Sequence, residues 1–181
     1  MEIGSEVPLF DGLIDLQVGG YSVNQGNPYL SSKDGVLYNR DGTELIRFPA
    51  RKRVDSFTVP FKVRRIGDHA FEDCIVDRVH IPYTVESLGR CAFRRSLVSE
   101  VRLPGTSVIP ERCFAETRCL KGLTLPPSVR VLGEGAFEYS AITTIDLTGV
   151  SEAGNSCFMG SDIQELTSTD SLKHVGTDAF L

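Results

Sequence analysis

Apolar residues in this chain recur at a period near 22, with a shorter alternation nested inside each period. Six phenylalanines, Phe71, Phe93, Phe114, Phe137, Phe158 and Phe180, are separated by 22, 21, 23, 21 and 22 residues. Pro60, Pro82, Pro104 and Pro126 are each 22 apart. Self-similarity at a fixed period of this length is the signature of a solenoid, in which each rung buries its apolar face against its neighbours.

Aligned on proline, the repeats read VDSFTVP, VDRVHIP, VSEVRLP, LKGLTLP and ITTIDLT, then a weaker IQELTST. Positions six, three and one before the proline are apolar, as in Val76, Val79 and Ile81 or Ile142, Ile145 and Leu147. The last two alternate with polar residues, which marks a strand with one face buried. One such strand per rung, stacked in parallel, predicts a long sheet. Aligned on phenylalanine, the fourth residue before the ring is Gly67, Gly89, Pro110, Gly133, Gly154 or Gly176, and the residue just before it is alanine or cysteine. The glycine is expected to permit a sharp turn where a Cβ would be strained. The small residue is expected to admit the next rung's backbone, and the phenylalanine to fill its own turn. Pro110 breaks the glycine column and predicts a local change of turn in rung three.

Ahead of the repeats, Ile14, Leu16 and Val18 alternate with Asp15 and Gln17, which suits a half-buried strand. Val36 to Tyr38 and Glu44 to Phe48 read as the arms of a β-hairpin around Asn39-Arg40-Asp41-Gly42, with Asp-Gly supplying the positive φ of a tight turn. Residues 1–53 are thus expected to form a strand-and-hairpin cap over residues 54–181, about six repeats with the last incomplete. The last rung, residues 163–181, has no polar cap in the sequence; it is expected to be poorly ordered alone or covered by further repeats or a partner.

The pattern apolar-x-x-apolar-x-apolar-Pro, then x-x-Val-x-x-Ile-Gly-x-x-Ala-Phe, resembles the BspA-like class of leucine-rich repeats. The segment NPYLSSKDGVLYNRDGTELIRFPA is similar to the hairpin module that often precedes them. The resemblance implies an α/β-type leucine-rich-repeat solenoid, mainly β, with one short parallel strand per rung and short helical or 3-10 turns between. It also implies a protein partner, since such proteins are often cell-surface or secreted binders of host or matrix proteins. Thr148 and Thr169 stand where the pattern has proline, and no site residues carry over. The start, MEIGSEVPLFDG, shows neither the basic residues nor the apolar run of an export signal.

Charge narrows the function classes. The net charge is −5, against the basic face of a nucleic-acid module. It is unevenly spread: residues 51–130 carry 15 Lys and Arg against 9 Asp and Glu, whereas residues 131–181 carry 1 against 8. Five cysteines without a CxxC pair point to reduced thiols. Cys113 and Cys157 take the alanine slot as space-fillers; Cys91 and Cys119 are less constrained, and Cys91 reads as a surface-turn residue. Cys74, Ser96, Thr117, Ser140 and Ser161 form a small polar column expected to satisfy backbone groups at the turn. His69, His80 and His174 lack metal-ligand spacing. No nucleophile elbow or phosphate loop is legible, so no catalytic residue, cofactor or metal is expected. Arg90, Arg94 and Arg95 align with acids of the neighbouring rungs and read as exposed inter-rung pairs of about 0–1 kcal/mol each.

The best candidate site is the solvent face of the strand sheet. It carries Arg78 and His80, Glu100 and Arg102, Thr124, Thr144 and Asp146, and Glu165 on successive rungs, with no aromatic anchor among them. The expected function is non-enzymatic protein binding through this face or through loops at its edge. The alternative is a structural component of a larger assembly.

Overall fold

The computed structural model describes residues 1–4 and 17–181; of the strand expected around Ile14–Val18, Ile14, Asp15 and Leu16 lie outside them. The N-terminal part holds β1 (Glu2–Ile3), β2 (Ser22–Val23), β3 (Leu30–Lys33), β4 (Val36–Asn39) and β5 (Glu44–Arg47). The solenoid follows with β6 (Ser56–Thr58), β7 (Arg65–Ile66), β8 (Arg78–His80), β9 (Ser87–Leu88), β10 (Glu100–Arg102) and β11 (Val108–Ile109). It continues with β12 (Val131–Leu132), β13 (Thr144–Asp146), β14 (Glu152–Ala153), β15 (Glu165–Thr167) and β16 (His174–Val175).

Two parallel ladders run along the stack, rather than the one expected. The first is the alternating strand before the proline: β6, β8 and β10 pair in register, as do β13 and β15. Val79, Val101 and Ile145 point inward from it and are buried, while their neighbours face solvent. The second ladder runs β5-β7-β9 and β11-β12-β14-β16. After β5 its strands are two residues long, and they bury Ile66, Leu88, Ile109, Leu132 and Ala153, the apolar position five before each phenylalanine. Two residues are too few to show an alternation, so this ladder leaves no period-2 trace. The third side is a chain of hydrogen-bonded turns, and the one helical element among the described residues is a 3-10 turn at Thr169–Ser171. The short helical turns of the α/β-type expectation therefore give way to a nearly all-β coil.

At the third side the phenylalanines stack in one column. Phe48, Phe71, Phe93, Phe114, Phe137, Phe158 and Phe180 have successive ring centroids 4.9–5.6 Å apart, with planes within 23° of parallel. Phe48, 23 residues before Phe71, is a seventh member of the column that the six-fold repeat alignment omits. Ring spacing is commensurate with the ~4.8 Å between paired strands, so one repeat distance serves aromatic stack and backbone alike. Each ring buried contributes roughly 1.5–3 kcal/mol, and each aromatic contact about 0.5–1.5 kcal/mol beyond burial. The backbone follows the same column: the amides of Phe48, Phe71, Phe93, Phe114, Phe137 and Phe158 donate to the carbonyl of the next rung at 2.7–2.8 Å.

The glycine column works differently from the expectation. Gly67, Gly89, Gly133, Gly154 and Gly176 do not adopt positive φ; the turn is made two residues either side of the phenylalanine, by residues such as His69, Asp73, Cys91, Arg95, Arg112 and Glu116. What glycine provides is close approach. A Cβ at Gly89 would lie 2.4 Å from the amide nitrogen of Asp68, and one at Gly133 2.6 Å from that of Glu111. The amides of Gly133, Gly154 and Gly176 also donate to the preceding rung at 2.8 Å. Pro110 has the extra carbon and lacks the N–H, and at that rung β11 does not pair with β9. The first ladder breaks one rung later: Gly122, a weak strand residue, keeps a single bridge to Thr144, and no pairing joins it to β10.

In the N-terminal part the tight turn falls one strand earlier than expected. Asp34 and Gly35 both have positive φ and join β3 to β4 with Lys33 opposite Val36, the geometry of a type I′ hairpin. Asn39-Arg40-Asp41-Gly42 also closes an antiparallel pair, β4 with β5, but as a wider loop in which the Asn39 side-chain oxygen accepts from the amides of Thr43 and Glu44. Strand β5 then pairs in parallel with β7, and Phe48 begins the aromatic column.

Side-chain charges tie the first three rungs together. Arg90 meets Asp68 at 3.6 Å, Arg95 forms a two-pronged pair with Asp73 at 2.8 and 3.0 Å, and Arg94 meets Glu116 at 2.7 Å. Their centre is not exposed as the sequence suggests. Glu72 is 3% accessible and lies 2.7 Å from His69 Nδ1, 3.1 Å from Arg95 and 4.0 Å from the buried Arg47. Arg95 holds the Asp73 carboxyl below the ordinary carboxylate range.

Two stability outcomes follow from this geometry. Gly89→Ala is expected to cost about 1–3 kcal/mol or more through overpacking, and Gly67→Ala less, because its nearest neighbour would stand at 3.1 Å and the rung before it is a strand of the N-terminal meander. Glu72→Gln removes the carboxylate that faces the buried Arg47 and is shared with the more exposed Arg94 and Arg95, and is expected to cost about 3–5 kcal/mol, whereas Asp68→Asn, in an exposed pair, is expected to cost under about 1 kcal/mol. Urea denaturation midpoints of the four variants check both orderings.

Candidate functional site

The strand face is held out by its own alternation. On β8, β10, β13 and β15 the middle residue is buried or half-buried, so the residues on either side of it point to solvent. Register places Arg78 between Ser56 and Glu100, and His80 between Thr58 and Arg102. Thr144 lies beside Gly122 on one side and Glu165 on the other, and Asp146 beside Thr167. Arg78, Arg102, Thr124, Thr144, Asp146 and Glu165 are exposed; His80 and Glu100 are half-buried.

The eight residues do not form one patch. The break in the first ladder between β10 and Gly122 divides them into two groups. Arg78, His80, Glu100 and Arg102 sit on the three paired strands of rungs one to three, where Arg102 Nε meets Glu100 at 3.1 Å. Thr124, Thr144, Asp146 and Glu165 sit on rungs four to six and line an open groove of about 740 Å³, floored by Leu123, Leu125 and Ile145. A shallower hollow of about 400 Å³ lies over the break itself, between Arg102 and Thr124. There Leu103 and Leu125 stay half-buried, whereas Ile81 and Leu147 at the same position in other rungs are buried.

Electrostatics differ between the halves. The face of rungs four to six carries Asp146 and Glu165 and no cation. The Asp146 carboxylate accepts from the hydroxyl and amide of Thr148 at 2.8 and 3.0 Å, and these hydrogen bonds hold its pKa below the ordinary carboxylate value. The face of rungs one to three carries two arginines and a histidine against one glutamate. Beside it stand Phe61 and Tyr83, which sequence alignment on the strand face omits. Each follows the rung's proline directly, on the outside of the corner, with ring centroids 6.1 Å apart. The signal available was two aromatics in one outward column on adjacent rungs, a column that continues as Gly105, Pro127 and Gly149.

The other candidate groups resolve into structure. The arginines at 90, 94 and 95 are engaged by carboxylates of adjacent rungs. Cys113 and Cys157 are buried in the alanine slot, and burial pushes the Cys113 thiol up and the Cys157 thiol up to about 12. Cys91 is buried at a left-handed turn position rather than on the surface, and Cys119 is exposed. In the small polar column the hydroxyls of Thr117 and Ser161 donate to the phenylalanine carbonyl three residues back, at 2.8 and 2.6 Å; those of Ser96 and Ser140 have no hydrogen-bond partner. Among the described residues, no three metal-ligating side chains gather and no helix is long and apolar enough to cross a membrane.

Solved structures share this architecture. A leucine-rich cell surface protein from Faecalibacterium prausnitzii aligns over 87% of this chain and 41% of its own, with a TM-score of 0.72 and 23% identity. The pneumococcal vaccine antigen PcpA aligns over 88% of this chain and 39% of its own, with a TM-score of 0.73 and 23% identity. A leucine-rich repeat protein from Eubacterium ventriosum aligns over 99% and 57%, with a TM-score of 0.76 and 19% identity. The chain thus spans between 39% and 57% of the length of these three proteins. No curated protein matches it. The family model for the BspA type leucine-rich repeat region matches in six copies over residues 47–158, more than half of the sequence, and the chain therefore belongs to the BspA-type leucine-rich-repeat family.

Proposed function

We propose that this chain is a non-enzymatic binding module that engages a partner protein through its strand face. The observation that carries this reading is the register of that face. Side chains from five rungs project from paired, stacked strands, so their spacing is set before any partner arrives. Preorganised side chains lose less conformational freedom on binding, which favours affinity for a given area. The open groove over rungs four to six adds apolar floor to a polar rim, the usual anatomy of a protein contact. Arg78, His80, Glu100 and Arg102 on one side, and Thr124, Thr144, Asp146 and Glu165 on the other, are the contact residues of this reading. Two structural relatives are a cell surface protein and a vaccine antigen, which supports a place for the module at a bacterial surface.

The test is a binding screen of the purified chain against an array of extracellular and matrix proteins, followed by titration of each binder. The triple variant Arg78→Glu, Glu100→Arg, Arg102→Glu and the double variant Thr144→Arg, Asp146→Arg are expected to weaken at least one binder about tenfold or more. Binders that keep their affinity for both variants would remove the strand face from the binding role.

A further inference from the structure

The corner that joins the two ladders in rungs one and two carries a feature that neither the repeat nor the core requires. Phe61 is 64% exposed and Tyr83 is 84% exposed, and the two rings touch across adjacent rungs. Every other phenylalanine of the aromatic column from Phe48 to Phe158 is buried. The outward column in which they stand has glycine or proline in the later rungs, so the coil closes without an aromatic there. Aromatic side chains held at a surface are the residue type that dominates protein contacts once covered.

The cations around the pair are also without ion-pair partners among the described residues. Lys62 follows Phe61, and Arg78 lies on the strand that leads into Tyr83; both are exposed. Arg64 reaches over to the carbonyl of Thr84 at 3.3 Å, which holds its guanidinium next to Tyr83. None of the three has a carboxylate within 4.0 Å among the described residues, whereas Arg65, Arg90, Arg94, Arg95 and Arg102 each do. The acids around these cations are Asp41, Asp55, Asp77 and Glu86, all exposed and none within 4.0 Å of the three, and Glu100, which Arg102 already engages.

We propose that this corner receives an acidic segment of the partner protein, with an apolar or aromatic side chain laid on Phe61 and Tyr83 and its carboxylates facing Lys62, Arg64 and Arg78. The proposal rests on the reading of the chain as a protein-binding module and names the chemistry of its partner. Charge complementarity selects the occupant: the opposite half of the strand face is acidic and free of cations, so an acidic segment is attracted to the first half and repelled by the second.

Selection of a displayed random peptide library on the full chain tests it, with the enriched peptides titrated by fluorescence anisotropy. The expected result is enrichment of peptides rich in Asp and Glu that carry an aromatic or large apolar residue. Their affinity should fall at least tenfold with Phe61→Ser plus Tyr83→Ser, and again with Lys62→Glu plus Arg78→Glu. It should also weaken as salt shortens the screening length, and it should not weaken with Asp146→Lys plus Glu165→Lys, which removes the repelling charge of the second half. All three pairs replace exposed side chains, and thermal melts that match the parent chain establish that each variant is folded. Peptides that are not acidic, or whose binding ignores Phe61 and Tyr83, would overturn the inference. If their binding is instead lost with Asp146 and Glu165 replaced, the strand-face reading survives without it; if it ignores every variant, both fail. Concentration-dependent self-association, seen by sedimentation and abolished by the Phe61 and Tyr83 replacements, would also overturn it, since the corner would then serve a second copy of the chain.

Discussion

Stacking between neighbouring rungs along the phenylalanine side is the constraint on which the rest of this molecule depends. Seven rings stack at distances close to the spacing of paired strands, and the amides of six of those residues bond across the same interval. A solenoid has no contact between distant rungs, so its stability is a sum over such neighbours. The aromatic column is the only one of the three sides that runs without interruption. Both strand ladders break, and in both places the rings and the turn amides continue: Phe93 stacks on Phe114 at 5.2 Å, and Phe114 on Phe137 at 5.6 Å.

Rung three is where the other two sides give way, for local reasons. Proline at residue 110 removes the donor that glycine supplies in the neighbouring copies and adds carbon where they have none. Pro104 and Phe114 are also only 10 residues apart, against 11 between Pro82 and Phe93, so Thr106 fills the slot that Val63, Val85 and Val129 hold elsewhere. One rung on, Gly122 weakens the first ladder. These departures divide the strand face into a cationic part bordered by aromatics and an acidic part over a groove. The division matters for recognition, because two chemically different surfaces sit side by side on one rigid support.

Much of the repeat was legible because it is written in side-chain volume. The column of rings, the buried positions of the first ladder and the pairing of Arg90, Arg94 and Arg95 with acids of adjacent rungs all follow from aligning one copy on the next. What escaped has physical causes. The second ladder has strands of two residues, too short for alternation. Positive φ falls on His69, Asp73, Cys91 and Arg95, four different residue types of which only His and Asp are enriched in the left-handed region, so no shared residue marks the turn along the column. Glu72 looked like one more surface acid, because nothing in a sequence marks that Arg47, His69 and Arg95 converge on it. At the candidate site the outward residues of each strand were readable from their alternation. The break that separates them, and the exposure of Phe61 and Tyr83 beside them, depend on how one rung sits on another.

Scaffold and surface thus fall to different parts of each rung. The phenylalanine turn and the close-packed glycine hold the spacing, and the strand face and its corner remain free for a partner. Native-state hydrogen exchange tests that assignment directly. The amides of Phe71, Phe93, Phe114 and Phe137 are predicted to be among the slowest in the chain, with those of Leu123 and Leu125, beside the break in the first ladder, exchanging orders of magnitude faster. Equal protection along both sides, or phenylalanine amides that exchange as fast as the strand-face residues at the break, would contradict it.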